Sequence, residues 1–328
     1  MKTAFVSGIT GQDGSYLAEL LLAKKYFVVG LKRRSSLLCT DRINHIYNHE
    51  NFKMEYWDLN DPGSTYRLLL EYKPDEFYNL AAQSHVRVSF DVPEDTISGI
   101  VLGTTRILEA IRHVLPACRF YQASSSEMFG DNPSIPEKGF DEESKLMPAS
   151  PYACAKVCAH NLIRNYRMSY GLHASSGILF NHESPRRGET FVTRKITMSA
   201  ANIRLGHQDY IELGTLSAKR DWGHAEDYVK AMQLMLQQEI PDDYVISTGK
   251  TYSVQEFLDE VWKHAHLGDS AKHLKVNSKY FRPQEVPYLL GDCSKAKRVL
   301  GWESKYSFSE LAKDMYDSDY NETIRRHR

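Results

Sequence analysis

Two side chains one helical turn apart could together act as a proton acceptor. Tyr152 and Lys156 lie in a helical pattern over residues 151–170, and a spacing of four places both on one helix face. A tyrosine is a poor base because its pKa is near 10. A neighbouring ammonium group favours the phenolate, so we expect Lys156 to lower the pKa of Tyr152. Such a pair could take a proton from a hydroxyl group, although this spacing alone also fits an ordinary surface pair.

A run of serines and a glutamate strengthens the chemical interpretation. The run Ser124-Ser125-Ser126-Glu127 directly follows a β-rich segment over residues 119–123. In open parallel sheets, ligands bind in the crevice outside the carboxyl ends of the strands. The serines and Glu127 therefore stand where a ligand would be expected, upstream of the Tyr152 helix.

A glycine loop joins the first predicted strand, residues 3–7, to the next helix. Gly8 permits a tight turn, Gly11 lets the backbone approach a pyrophosphate, and Gly14 lets the helix pack closely on the strand. The helix N-terminus then faces the phosphate charge. Glycine loops are common turns, but the position of this one at the first strand–helix junction predicts a dinucleotide site.

A basic turn follows the second predicted strand, residues 27–31. The turn reads Lys32-Arg33-Arg34-Ser35-Ser36, where an NAD site usually carries an acidic residue. Arginine binds phosphate with charge-assisted, often bidentate bonds, so this turn predicts NADP with its extra 2′-phosphate. A solvated basic turn is the alternative. Asp58 either accepts a bond from the adenine amine or caps the helix that begins at Pro62.

Short β-rich segments alternate with helical patterns through the first half of the chain, which predicts a parallel sheet with helices on both faces. The further strands are predicted at residues 53–57, 76–80 and 176–180, and the helices at 15–25, 62–72, 96–114 and 151–170. After Asn181 a loop rich in charge, proline and glycine is followed by helical patterns at 193–205, 225–237, 253–265 and 307–320.

This order predicts an α/β fold, a Rossmann-like doubly wound parallel sheet with a smaller, interleaved C-terminal substrate domain. We assign residues 1–181, with parts of 219–248, to the NADP-binding Rossmann domain. Residues 182–328 mainly form the second, substrate-binding domain.

Composition and charge exclude several classes of protein. The formal net charge is −1 and 42% of residues are hydrophobic, so no global field indicates nucleic acid or membrane partners. The five cysteines show no zinc-ligand spacing, which predicts free thiols in a reducing cytoplasm and no metal site. The N-terminus does not read as a signal peptide, and no apolar stretch approaches the length of a membrane span.

Segments spread over nearly the whole chain resemble the extended short-chain dehydrogenase/reductase family and, within it, the GDP-mannose 4,6-dehydratases. The segments are GITGQDGSYLAELLL from Gly8, RRSS from Arg33, NLAAQSHV from Asn79, YQASSSEMFG from Tyr121, SPYACAK from Ser150, LFNHESPRRGETFVTRK from Leu179, AKRDWGHAEDYV from Ala218 and FRPQEV from Phe281. The resemblance implies an NADP-dependent lyase that converts GDP-mannose to GDP-4-keto-6-deoxy-mannose by an internal redox cycle with loss of water. It also implies a homo-oligomer, a tetramer of the family's type.

The resemblance assigns residue roles. The catalytic residues would be Ser125, Glu127, Tyr152 and Lys156, with Ser125 standing where the family has threonine. Cofactor contacts would come from Gly8, Thr10, Gly11, Gln12, Asp13, Gly14, Arg33, Arg34, Ser35, Ser36, Asp58, Leu59, Leu80, Ala81, Ala82, Gln83, Ser84, Tyr152, Lys156, His182 and Arg187. Substrate contacts would come from Ser84, Ser125, Glu127, Asn181, Val192, Lys195, Arg220, Arg282 and Glu285. His182 could instead cap local backbone, and Arg220 could instead pair with Asp221 or another carboxylate.

Departures from the family pattern leave the sugar open. The loop 131–147 is longer than the pattern, Ala149 replaces an arginine beside the catalytic tyrosine, and Asp95 replaces an aromatic cofactor contact. A pocket enlarged near C6 would suit the alternative substrate GDP-D-glycero-D-manno-heptose. A 4-reductase or 4-epimerase and a non-catalytic NADP-binding regulator are the other hypotheses. Glu127 argues against the former, and the intact Tyr152, Lys156 and Glu127 argue against the latter.

Overall fold

Seven parallel strands form the central sheet of the protein, a computed structural model whose described residues are 1–327. Over the described residues, the strands of this sheet and of the two-stranded pairings outside it are, in chain order, β1 (Thr3–Ser7), β2 (Phe27–Lys32), β3 (Phe52–Tyr56), β4 (Glu76–Asn79), β5 (Arg119–Ser125), β6 (Ala174–Leu179), β7 (Asn181–Glu183), β8 (Ile211–Leu213), β9 (Lys219–Arg220), β10 (Trp222–His224), β11 (Asp243–Ile246), β12 (Tyr252–Ser253) and β13 (Leu274–Val276). The sheet order is β11-β6-β5-β4-β1-β2-β3, and the strand order reverses next to β1, as it does in dinucleotide-binding folds. The predicted Rossmann-like parallel sheet is confirmed.

Helices cover both faces of this sheet and form a separate layer beyond it. They are α1 (Gln12–Ala23), α2 (Pro62–Tyr72), α3 (Val86–Asp91), α4 (Pro93–Ile97), α5 (Gly103–Val114), α6 (Pro151–Tyr170), α7 (Val192–Arg204), α8 (Ala225–Met235), α9 (Val254–His264), α10 (Ser294–Leu300) and α11 (Phe308–Arg326). None of these helices is both long and apolar enough to span a bilayer.

Alternating side chains in the strands divide the core into two layers, because successive residues of a strand point to opposite faces. Phe5, Phe77 and Phe120 lie on the face covered by α2, α5 and α6, and their rings follow one another with centroids 5.7 Å apart. Tyr78 and Tyr121 belong to the opposite face, which is packed by α1 and α8. Both faces of the sheet are therefore buried, as a parallel sheet requires.

A third apolar cluster holds the C-terminal helices α7, α9 and α11 together. A buried ion pair joins two of them, with Arg194 of α7 2.7 Å from Asp319 of α11. The chain does not stay in this layer, since β11 pairs with β6 at the edge of the central sheet. The domain boundaries proposed from the sequence stay predictions.

The single helix predicted over residues 96–114 is wrong in its bounds. The chain is already helical in α4 from Pro93, then passes through a π-helical turn, Ser98–Leu102, before α5. Proline suits the first turn of a helix, where its missing N–H is not needed. A Cβ on Gly103 would lie 2.7 Å from the Leu59 side chain, so the start of α5 sits directly against the loop after β3.

The glycine loop allows α1 to pack against β1 without any intervening side chain. A Cβ added at Gly14 would lie 2.3 Å from the Gly8 carbonyl oxygen and 2.7 Å from the Ile9 Cα. Both atoms belong to the backbone and cannot rotate away. The position therefore requires glycine for steric reasons.

Replacing Gly14 by alanine should push α1 away from β1 and lower the free energy of unfolding by about 2 kcal/mol. The matched control is Gly99→Ala, because a Cβ there meets no atom within 4 Å and alanine favours helical backbone by up to about 1 kcal/mol. Urea denaturation of both variants checks this. Equal effects at the two positions would contradict the steric argument.

Candidate active site

A cleft of about 800 Å³ lies at the carboxyl ends of β1, β4, β5 and β6. Such a volume suits a ligand the size of a cofactor or nucleotide. The cleft is lined by every cofactor and substrate residue predicted from the sequence except Arg34, Ser35 and Ser36. Those three belong to the exposed turn after β2, where Arg34 donates a hydrogen bond to the Ser35 carbonyl oxygen. The individual contacts of all these residues stay predictions.

Helix α6 carries Tyr152 and Lys156 into the cleft. The helix begins with Pro151 after the N-cap Ser150, whose hydroxyl accepts a bond from the Ala153 N–H at 3.1 Å. Both side chains are at least 90% buried and lie on the same helix face. The Lys156 Nζ donates to the Ala123 carbonyl oxygen at 2.7 Å and lies 5.6 Å from the Tyr152 ring centroid.

The expectation of a lowered Tyr152 pKa is wrong for this structure. Burial raises the pKa of Tyr152 to about 12, even though a hydrogen bond with Ser125 opposes the rise. Burial also lowers the pKa of Lys156 to about 8. The physical reason is that removal from water penalises both the phenolate and the ammonium, while the ammonium is directed at a carbonyl oxygen instead of the phenol.

Ser125 and Glu127 stand at the end of β5, as the sequence pattern indicated. Ser125 is the last residue of the strand, and a 3₁₀ turn, Ser126–Met128, follows it. The Ser125 Oγ accepts a bond from the Glu127 N–H at 3.2 Å, which fixes the turn. The negative charge of Glu127 contributes to the raised pKa of Tyr152, so the two groups interact electrostatically within the cleft.

The glycine loop fits the pyrophosphate of a dinucleotide. Gly8 has a φ of +66°, a conformation that glycine adopts without strain. The N-cap of α1 is Gly11, which has no side chain to occupy the N–H groups of the first turn. These N–H groups and the helix dipole favour an anion at this point.

Asp13 places a negative charge beside this anion site, and His182 compensates it. His182 Nδ1 lies 2.8 Å from the Phe180 carbonyl oxygen and its Nε2 lies 2.8 Å from the Asp13 carboxylate. Both partners accept only, so both nitrogens donate when the ring is a protonated imidazolium. Burial would lower the pKa of His182, but the Asp13 carboxylate outweighs it and raises this pKa. Burial alone would raise the pKa of Asp13, but His182 outweighs it and lowers this pKa.

Basic side chains gather on the opposite side of the cleft. Arg220 is buried and donates to the Val286 carbonyl oxygen at 2.7 Å and to the Glu285 carboxylate at 2.9 Å. The alternative pairing with Asp221 does not occur, because that carboxylate accepts bonds from Thr248 and Gly249 instead. The alternative pairing with another carboxylate does occur, with Glu285. Arg220, Arg282 and Glu285 all line this part of the cleft, which we call the sugar end. Guanidinium groups placed there could recognise the diphosphate of a nucleotide.

Sequence reasoning missed Tyr280 as a cleft residue. The Lys195 Nζ lies 3.5 Å from the centroid of the Tyr280 ring and donates to the Glu212 carbonyl oxygen. An ammonium over an aromatic face is attracted by its quadrupole. Tyr280 stands immediately before the FRPQEV segment in the sequence, and this position could have indicated that it lines the cleft. Other lining residues that the sequence did not single out are Trp57, Asn60, His85, Arg87, Phe191 and Thr193.

Two alternatives from the sequence are settled by local contacts. The N-cap of α2 is Asp61, while Asp58 lines the cleft and accepts a bond from the Asn60 N–H at 2.8 Å. Ala149 packs against the apolar cluster of Met128, Phe129 and Phe140. No residue of the described segment 131–149 lines the cleft, and the enlargement of the pocket near the sugar C6 stays a prediction.

Comparisons with known proteins agree with this geometry. The family model described as GDP-mannose 4,6 dehydratase matches residues 5–315 of the chain. GDP-mannose 4,6 dehydratase 1 of Arabidopsis thaliana is 52% identical, over 97% of this chain and 90% of that protein. GDP-mannose 4,6-dehydratase of Vibrio cholerae is 49% identical, over 97% of this chain and 93% of that protein.

Solved structures share the fold at lower identity. The dTDP-glucose 4,6-dehydratase of Bacillus anthracis in complex with NAD has a TM-score of 0.86 and 19% identity, over 99% of this chain and 98% of that one. RMD of Pseudomonas aeruginosa complexed with NADPH has a TM-score of 0.79 and 21% identity, over 98% of this chain and 100% of that one. At these identities the comparison shows the architecture alone.

Removing the buried ammonium should stabilise the protein at neutral pH. The folded chain holds the Lys156 pKa at about 8, below the ordinary lysine pKa of 10.5. Below pH 8 both states are protonated and the folded state carries the full cost of burial. Between pH 8 and 10.5 only the unfolded chain keeps the proton, so the wild type gains stability as the pH rises.

Lys156→Met should therefore raise the free energy of unfolding at pH 7 by on the order of 1–3 kcal/mol, and this gain should shrink between pH 8 and 10.5. Urea denaturation at several pH values checks the trend. Lys24→Met, at an exposed position, is the control and should show no such gain. A gain independent of pH would contradict the electrostatic cause.

Proposed function

This chain belongs to the GDP-mannose 4,6-dehydratase family, and we propose that it removes water from GDP-mannose to give GDP-4-keto-6-deoxy-mannose. The observation that carries the proposal is that Glu127 and Tyr152 share one cleft and interact electrostatically. A dehydratase needs two proton acceptors, one for the O4 hydroxyl and one for C5. A 4-reductase or 4-epimerase needs no group to abstract a C5 proton, and a non-catalytic regulator needs neither group.

The side chains divide the reaction into two stages. In the first, Tyr152 accepts the O4 proton of the sugar, while the Ser125 hydroxyl holds the same oxygen. A bound nicotinamide supplies the redox chemistry, accepting a hydride from C4 and returning it to C6. In the second, the C4 ketone has made the C5 hydrogen acidic, and Glu127 removes it. Glu127 then gives this proton to the C6 oxygen, which leaves as water. When the hydride reaches C6, a proton returns to C5 and replaces the one that was removed there, which balances the proton taken from O4.

We propose NADP as the cofactor. Arg33 lines the cleft at the end of β2, where the adenosine ribose of a dinucleotide would bind. Its guanidinium suits the 2′-phosphate that distinguishes NADP from NAD. The glycine loop, the compensated Asp13–His182 pair and Asp58 fit the remainder of the cofactor.

The proposed substrate is the mannose nucleotide. The curated relatives reported above, at about 50% identity, carry GDP-mannose in their names, and this supports the mannose nucleotide. The heptose nucleotide is therefore not favoured.

Assembly and location stay predictions from the sequence. Leu37 and Leu38, which follow the basic turn, are 73% and 70% exposed. Exposed leucines beside a cofactor site fit the homotetramer that the resemblance implies. A cytoplasmic location likewise rests on the sequence alone.

Reversing the charge of Arg33 tests the choice of cofactor. Arg33→Glu should weaken NADP binding by about tenfold or more, because the 2′-phosphate loses its partner and meets a like charge, while NAD binding should change little. The control is Lys272→Glu, an exposed position outside the cleft. Fluorescence titration with each cofactor gives the two affinities, and equal losses for NADP and NAD would refute the role of Arg33.

Separating the two stages tests the dehydratase assignment. Tyr152→Phe should slow C4 oxidation by about 10²–10⁴-fold, since the O4 proton loses its acceptor. Glu127→Gln should still oxidise C4 but stall before water loss, which would appear as NADPH absorbance without a 6-deoxy product. Absorbance at the reduced-nicotinamide band and mass spectrometry of the sugar nucleotide distinguish these outcomes. Normal water loss by Glu127→Gln would refute the proposed function.

A further inference from the structure

Four side chains of alternating charge form a continuous row at the sugar end of the cleft. Arg282 Nη1 lies 3.5 Å from the Glu127 carboxylate and 3.6 Å from the Glu285 carboxylate. The same Glu285 oxygen lies 2.9 Å from Arg220. The catalytic carboxylate is therefore linked, through Arg282, to the two residues expected to meet the substrate's nucleotide.

The charges of this row already cancel. Two carboxylates face two guanidinium groups, so the cleft holds no uncompensated cation here. The diphosphate of a nucleotide sugar brings two further negative charges to the same place. Because the diphosphate and the two carboxylates would repel each other, an anion binds there at a lower cost when one arginine gives up a carboxylate partner.

Arg282 is the member of the row that can move. The Arg220 side chain is 6% exposed and its guanidinium also donates to the Lys219 and Val286 carbonyl oxygens. The Arg282 side chain is 29% exposed, and both of its carboxylate distances exceed those of a good charge-assisted hydrogen bond. Binding of the diphosphate would therefore separate Arg282 from its carboxylate partners at a lower free-energy cost than it would separate Arg220 from its partners.

We propose that Arg282 exchanges partners, holding Glu127 until the substrate's diphosphate takes its guanidinium and so releases the carboxylate to act as a base. The inference rests on the proposed function and deepens it. A carboxylate that loses a cationic partner becomes a better proton acceptor. The arginine thus links binding of the nucleotide end of the substrate to activation of the group that acts at C5.

A double-mutant cycle on GDP affinity tests the exchange. Calorimetry would compare the NADP-saturated wild type, Glu127→Gln, Arg282→Gln and the double variant. Removing Glu127 frees Arg282, so Glu127→Gln should bind GDP about three- to tenfold more tightly than the wild type. In the Arg282→Gln background the same substitution should bring no gain, since no guanidinium remains to be released.

The control is Glu212→Gln, which removes an equal charge from a carboxylate paired with Lys279 and not with Arg282. Its effect on GDP affinity should be the same with and without Arg282. Arg282→Lys is a second test that keeps the charge but loses the forked geometry, and thermal melting establishes that each variant is folded.

Each remaining outcome has a defined meaning. A gain from Glu127→Gln that persists in the Arg282→Gln background would show general repulsion of the anion and overturn the exchange, while leaving the proposed function intact. No gain in either background would overturn it as well. A wild type that does not bind GDP at millimolar concentration would overturn the proposed function itself.

Discussion

Burying a charge costs several kcal/mol unless an opposite charge lies beside it, and the cleft at the carboxyl edge of the sheet is arranged around this constraint. Asp13 is compensated by His182, Glu183 by Arg187, and Glu127 by Arg282. Burial lowers the pKa of Lys156 to about 8, and its ammonium donates to the Ala123 carbonyl oxygen. Charged groups buried in such a site interact more strongly than they would in water.

The fold brings these groups together because parallel strands end at one edge of the sheet. The glycine loop follows β1, the serines and Glu127 follow β5, and His182 lies in β7, directly beyond β6. Gln12 connects the glycine loop to the segment around His182, because its side chain donates to the His182 carbonyl oxygen and accepts from the Ser184 hydroxyl. The C-terminal segments then close the sugar end, where Arg220 and Arg282 approach Glu127.

Chemistry in two stages requires that two acceptors in one small volume differ in character. Tyr152 is buried in the cleft, and burial raises its pKa to about 12, so the side chain is a neutral phenol in this structure. Glu127 is a carboxylate whose partner is a comparatively exposed arginine. In the proposed reaction, Tyr152 would accept the O4 proton first and Glu127 the C5 proton second. The basicity of Tyr152 would depend on the hydroxyl it contacts, and that of Glu127 on its ionic partners.

The sequence by itself determined the features that depend on local spacing. Strand and helix periodicity located the sheet and most helices, and Pro62–Tyr72 and Pro151–Tyr170 were bounded correctly because proline and glycine mark their ends. The same periodicity predicted that Tyr152 and Lys156 share a helix face. It could not anticipate the π-helical turn at Ser98–Leu102.

Only the tertiary structure decided what depends on burial and on contacts between distant segments. It reversed the expected shift of the Tyr152 pKa, because the sequence does not reveal how far water is excluded. It packed the partly buried Ala149 against the apolar cluster of Met128, Phe129 and Phe140. It also paired Glu127 with Arg282. A contact between residues that lie far apart in the sequence depends on how the layers of the fold pack, and not on the residues that neighbour each of them in the sequence.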